Sequence, residues 1–235
     1  MKRNKILAFV TLFMVTIGFQ FWVGCSAYYQ PGRNYLVSGE YEQEGFGLYS
    51  YILFTENPDK NDSLKYAALL SAYLNKIPEV NQLLKYVSSD SINNVYLPVM
   101  EDPYYINGLN DSEQIDTLIE IYDYARAQAY LNKFEEDLTY GPYIISYNIP
   151  LSQAGNIKSK YLLQDLSSVH PEVVTLWVDE FLKQSSQEAY WDEEYLRNFS
   201  NDLRNAIAIA ADGLKSTVES LKWWEENLPA WITFN

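Results

Sequence analysis

Residues 140–166 read YGPYIISYNIPLSQAGNIKSKYLLQDL, and this stretch decides the fold class. Two short runs, YGPYIISYNIPL and KSKYLLQDL, are rich in β-branched and aromatic residues, and the polar loop SQAGNI separates them. Runs of this length and composition, divided by a loop, predict a pair of strands. On both sides the apolar spacing changes from the strand period to the helix period, so the strands sit between helices in the chain.

Upstream, a second β section spans residues 35–54, YLVSGEYEQEGFGLYSYILF, interrupted at Gly39, Gly45 and Gly47. It predicts strands over 35–43 and 48–54, joined as a hairpin at EGFG. The stretch between the two β sections is mainly helical. SLKYAALLSAYLNK, residues 63–76, is apolar on most faces and predicts a buried helix. Pro78 opens another, with Val80, Leu83, Leu84 and Val87 at helical spacing. Residues 91–110 predict a long connection holding a short strand at 95–99. Asp111 then starts a helix with Gln114 as capping-box partner and Ile115, Leu118, Ile119, Tyr122 and Ala125 on one stripe.

Downstream, Pro171 opens a helix that turns Val174, Trp177, Val178 and Phe181 inward. A longer helix is expected over 192–226, its middle AIAIAADG small enough for close packing. No repeat or low-complexity linker divides the body. The expectation is one α+β domain, with a small, mainly antiparallel sheet made from two separated hairpins and packed by about five helices.

The first 25 residues read differently. Lys2, Arg3 and Lys5 precede an 18-residue run, 6–23, without a charge. This is the n-region and h-region of an export signal. The run ends in Val23, Gly24 and Cys25, and WVGC resembles the lipobox of bacterial lipoprotein precursors, with Trp22 where leucine is usual. The resemblance covers residues 1–26 only. It implies a signal peptide over 1–24, lipid attachment at Cys25 and a cell-envelope location. Ser26, in place of aspartate, implies the outer membrane if the cell has one. Two other readings stay open: cleavage after Ala27, which discards the cysteine, and retention of the run as an uncleaved anchor. Residues 25–34 then read as a tether, containing the turn pair Pro31-Gly32, and the domain as 35–235.

Cys25 is the only cysteine in 235 residues, so the body has no thiol for a disulfide or a thiolate metal site. Without the three signal-region bases, 14 bases face 31 acids, a net charge of −17. Such a body lacks the basic clusters that nucleic acids and anionic lipid surfaces require. One histidine, His170, excludes multi-histidine metal centres. No cofactor motif occurs, and no metal ligand set is expected.

Five acidic patterns invite functional readings. Asp165, Ser167, Ser168 and His170 lie close in sequence, but a helix start at Pro171 and Glu172 explains them better than a triad does. Glu40, Glu42 and Glu44 alternate and are expected on the solvent face of an edge strand. Glu113, Asp116, Glu120 and Asp123 read as a solvated helix face, and Asp59, Asn61 and Ser63 as a helix cap that only faintly echoes a calcium loop. Glu219-Ser220 echoes a pair found in peptidoglycan lytic transglycosylases, on a dipeptide alone.

Aromatic content exceeds what a core of this size demands, with 21 tyrosines and 6 tryptophans. Trp223, Trp224 and Trp231 form a candidate contact surface, because adjacent tryptophans cannot share one helix stripe. The expectation for function is a non-enzymatic, lipid-anchored binding or accessory domain, its partners the membrane through the N-terminal lipid and an envelope protein or glycan. A carboxylate-dependent glycan hydrolase is the alternative, and it needs two carboxylates facing each other across a cleft.

Overall fold

A computed structural model describes residues 28–58, 63–135, 138, 140–158 and 161–187. Residues 1–27, with the expected signal peptide and Cys25, and the helix expected over 192–226 lie outside them. The described chain forms one mixed five-stranded sheet with helices, an α+β arrangement.

The strands are β1 (Gln30–Val37), β2 (Leu48–Leu53), β3 (Ile92–Val99), β4 (Tyr143–Tyr147) and β5 (Leu162–Asp165), in spatial order β1-β3-β2-β4-β5. Strands β4 and β5 pair antiparallel, Tyr143 opposite Asp165 and Ser146 opposite Leu162, so the hairpin expected from residues 140–166 is present. The other expected hairpin is absent. Strand β3 lies between β1 and β2 and pairs parallel with both, while β2 pairs antiparallel with β4. The sheet is therefore half parallel instead of mainly antiparallel. Residues 30–34, read as tether, are the first half of β1 and pair with residues 92–96.

Strand β3 was legible only in part because its pattern is that of a central strand. All eight residues are buried, so INNVYLPV shows no alternation. Of its two asparagines, Asn93 is paired inside the protein through both amide atoms. Asn93 Oδ1 accepts the Ser50 hydroxyl at 2.8 Å, Asn93 Nδ2 donates to Ser186 Oγ at 3.2 Å, and Ser50 Oγ lies 2.6 Å from Ser146 Oγ. Pro98 stands beyond the last β2 partner, Tyr96, so its missing N–H breaks no bond on that side.

The described helices are α1 (Ser63–Lys76), α2 (Val80–Leu83), α3 (Asp111–Glu120), α4 (Tyr124–Leu131) and α5 (Pro171–Ser185), with 3-10 turns at Ser89–Ser91 and Pro103–Gly108. Helix α1 matches its expected span and packs against α5, where Val174, Trp177, Val178 and Phe181 are buried as expected. Helix α2 is a single turn and leaves Leu84 exposed.

The expected stripe from Asp111 breaks in two. Helix α3 ends at Glu120, and Asn110 caps it with Glu113 as the reciprocal partner, one residue earlier than Asp111 and Gln114. Tyr122 bridges to Val99, and Asp123 caps α4 by accepting the Arg126 N–H at 2.9 Å. Asp123 is buried and therefore departs from the solvated acidic face expected of it. A second helix start needs that carboxylate at its N-terminus.

The tyrosines have a shared structural use. The hydroxyls of Tyr49, Tyr51, Tyr96, Tyr122 and Tyr143 accept backbone N–H groups from Phe46, Leu151, Gln43, Phe54 and Tyr140, at 2.9–3.2 Å. Each ring fills core volume while its polar end satisfies an N–H outside a helix or ladder, which would otherwise be a costly orphan. Much of the aromatic excess is thus core that fastens loops.

Candidate functional site

Two places combine polar side chains with unusual burial or concavity. The first is the seat of Glu42. Strand alternation puts Tyr49 and Tyr51 of β2 on the same face as their register partners Asn94 and Tyr96 of β3. The segment 38–47 crosses that face without being a strand. Gly39 and Gly45 have φ of 86° and 85°, a backbone region costly for other residues, and these turns break the expected alternation of Glu40, Glu42 and Glu44. Glu40 and Glu44 are exposed, whereas Glu42 is only 4% exposed.

Glu42 Oε1 accepts three hydrogen bonds, from the Tyr51 hydroxyl at 2.9 Å, the Tyr130 hydroxyl at 2.9 Å and the Ser152 N–H at 3.2 Å. Tyr51 stacks on Tyr96 at 5.8 Å between centroids and meets Tyr130 edge-on at 5.6 Å. Glu42 Oε2 and Asn94 Oδ1 are buried without a partner. Burial works against the charge on Glu42, but the bonds from Ser152, Tyr130 and Tyr51 outweigh it and hold the carboxyl below the usual glutamate range. Burial first, and then the Glu42 charge, push the Tyr51 and Tyr130 hydroxyls up. At neutral pH this is an ionised acceptor surrounded by neutral donors, which fastens segment 38–47 and residues 151–152 to the sheet. It has no proton to give as a general acid.

The segment around His170 is likewise occupied. Asp165 is 6% exposed, burial raises its pKa to about 6, and its Oδ1 accepts the Ser167 N–H at 2.6 Å. His170 is the N-cap of α5, its Nδ1 accepting the Glu172 N–H at 3.4 Å. A triad requires that nitrogen to donate to the carboxylate. Here it accepts from the backbone instead, as the helix-start reading expects.

The second place is a cleft of about 150 Å³ beside β1, lined by residues from β1, the α2 turn and the 3-10 turn at Pro103–Gly108. Arg33 spends its two terminal nitrogens on the Leu74 carbonyl and on Glu79 Oε1, the latter at 2.9 Å, and its Nε–H is buried with no acceptor. Tyr35 packs edge-on against Tyr73, and burial first, opposed by the Arg33 charge and aided by those of Glu79 and Asp102, pushes its hydroxyl up to about 12. Asp102 caps the 3-10 turn through Tyr104 N–H at 3.0 Å, and the Tyr104 ring on the rim is 81% exposed. Asn81 and Asn107 complete the polar wall. Arg33, Glu79 and Asp102 sum to one negative charge.

Of the residues singled out from sequence, Cys25, Trp223, Trp224 and Trp231 lie outside the described residues, as do Asp59, Asn61 and Glu219. The cleft was not legible in sequence, because its residues come from three segments separated by tens of positions. The signals that touched it were Pro103 after Asp102, a capped turn start, and the aromatic pair Tyr104-Tyr105. Among the described residues no cluster of three or more His, Cys, Asp or Glu is placed to hold a metal ion, and no helix is long and apolar enough to cross a membrane. Compared with protein families, with curated proteins and with solved structures, the chain has no match.

Proposed function

We propose that the chain is a lipid-anchored cell-envelope protein whose folded body is a non-enzymatic binding or accessory domain. The observation that carries this reading is the charge-free run ending in Val23-Gly24-Cys25, followed almost at once by folded chain. Tyr28 already bridges to Gln187, and Tyr29 N–H donates to the Ser186 carbonyl at 2.8 Å. With three residues from Cys25 to Tyr28, the tether spans at most about 10 Å, at roughly 3.3–3.6 Å per residue. A lipid on Cys25 would hold the domain against the membrane surface and present its far side to partners. The C-terminal segment, read as a long helix over 192–226 carrying Trp223 and Trp224, with Trp231 beyond its end, would add a contact surface.

The non-enzymatic part of the proposal is supported by how the buried carboxylates are used. Glu42 and Asp165 are both engaged by the protein's own donors, in loop fastening and turn capping. Crosslinking in intact cells, followed by purification of the full chain and mass spectrometry, tests the proposal. A recurrent protein or glycan partner, absent from a mock-crosslinked sample, supports it. Turnover of an envelope glycan by the purified protein would overturn it.

A further inference from the structure

We infer that the cleft between β1 and the 3-10 turn at Pro103–Gly108 is a seat for one ring of a neutral carbohydrate, which rests on the binding-domain reading and names its ligand class. Size is the first argument. A volume of about 150 Å³ holds several waters. That admits one sugar ring with its outer edge in solvent, and it is too small for a folded peptide element.

Chemistry is the second argument. The lining offers donors and acceptors together: the Asp102 carboxylate and the side-chain amides of Asn81 and Asn107. A hydroxyl both donates and accepts, so a polyhydroxyl ring can satisfy this mixture. An anionic ligand would meet an Arg33 already paired with Glu79, and beside it the unneutralised Asp102. It would be repelled.

The third argument is the platform. Tyr104, 81% exposed, stands on the rim of the lining, and its neighbour Tyr105 is 50% exposed. The C–H face of a sugar ring covers an aromatic face well, and the hydroxyls at its edge reach the polar wall.

The test uses the full chain purified in detergent micelles and saturation-transfer NMR. The probes are three neutral trisaccharides, of N-acetylglucosamine, β-linked glucose and α-linked glucose, with an acidic sialylated trisaccharide as control. Saturable transfer to ring C–H protons of at least one neutral probe is expected. It should weaken about tenfold in Tyr104→Ala, a loss of one aromatic contact, and also in Asn107→Ala, and persist in Tyr104→Trp. These positions are exposed, so the variants should fold, and circular dichroism checks that they do. No transfer to any neutral probe at millimolar concentration, transfer unchanged in Tyr104→Ala, or preference for the acidic probe would each overturn the inference. A negative sugar screen beside a recurrent protein partner in the crosslinking experiment removes the carbohydrate seat and leaves the binding-domain reading standing. Failure of both experiments removes both.

Discussion

The Tyr51 hydroxyl donates to Glu42 Oε1 at 2.9 Å and accepts the Leu151 N–H at the same distance, so one phenol joins segment 38–47 to the loop after β4. Neither loop has a ladder of its own to hold it there. Tyr51→Phe leaves Leu151 N–H without its acceptor and Glu42 with one donor fewer, and should cost about 1–3 kcal/mol. Tyr130→Phe should cost less, because it strands no backbone group. Urea unfolding of the full chain, followed by far-UV circular dichroism, checks the order; equal losses would show that the Leu151 bond is unimportant.

Glu42 also sets an acid limit. Its folded pKa is depressed, so its stabilising effect is fully present above the unfolded value of about 4.3 and is lost as pH falls through the folded value. Wild-type stability should therefore drop below about pH 4, and Glu42→Gln, less stable at neutral pH, should show a shallower drop. Unfolding curves at a series of pH values read this directly.

Asp165 has the opposite sign. Its folded pKa, raised to about 6, exceeds the ordinary aspartate value, so the native state holds the proton more tightly than the unfolded chain. Stability from this group rises as pH falls through 6 and levels off below about 4. Asp165→Asn keeps an acceptor for Ser167 N–H and removes the buried charge. The variant should gain stability at pH 8, by up to about 3 kcal/mol for two pKa units, and the gain should shrink toward pH 4. A variant destabilised at pH 8 would place the capping bond above the desolvation cost.

Gly47 is required for space. A Cβ there would overlap the Asp90 carbonyl oxygen and the Tyr29 ring, and the carbonyl belongs to backbone that cannot swing away. Gly47→Ala should lower stability by several kcal/mol, about the cost of severe overpacking. Gly108→Ala, where a Cβ meets nothing within 4 Å, should be nearly silent. Thermal melts of the two variants side by side settle the contrast.

Trp177 is fully buried under α5 beside Val174, Val178 and Phe181. Trp177→Ala should cost roughly 3–5 kcal/mol, the loss of a large core side chain. Glu120→Gln on the exposed end of α3 should change stability by less than about 0.5 kcal/mol. Comparable losses in both would mean that the core lies elsewhere.

Cys25→Ala should abolish incorporation of labelled fatty acid and block lipid-dependent processing of the precursor. Labelling that persists in the variant would remove the lipoprotein reading. Labelling absent from the wild type, with a shortened secreted chain, would favour cleavage after Ala27.

The sequence by itself determined what depends on neighbours along the chain. Helix α1, the inward face of α5, the helix start at Pro171 and the β4–β5 hairpin were all legible, because spacing, proline and glycine act within a few residues. Strand order was not legible. Whether β1 meets β2 or admits β3 between them depends on which buried faces fit, and β3 conceals itself by being covered on both sides. The role of Glu42 was decided there too. In sequence it is the middle of three alternating acids, a pattern that reads as solvent-facing. In the fold, two glycine turns and the hydroxyls of Tyr51 and Tyr130, from β2 and α4, take it inside, because a carboxylate can be buried where enough donors converge on it. The cleft beside β1 has the same origin. Residues 33–35, 79–81 and 102–107 carry no common pattern, and only the packing of the α2 turn and the 3-10 turn against an edge strand sets them around one space.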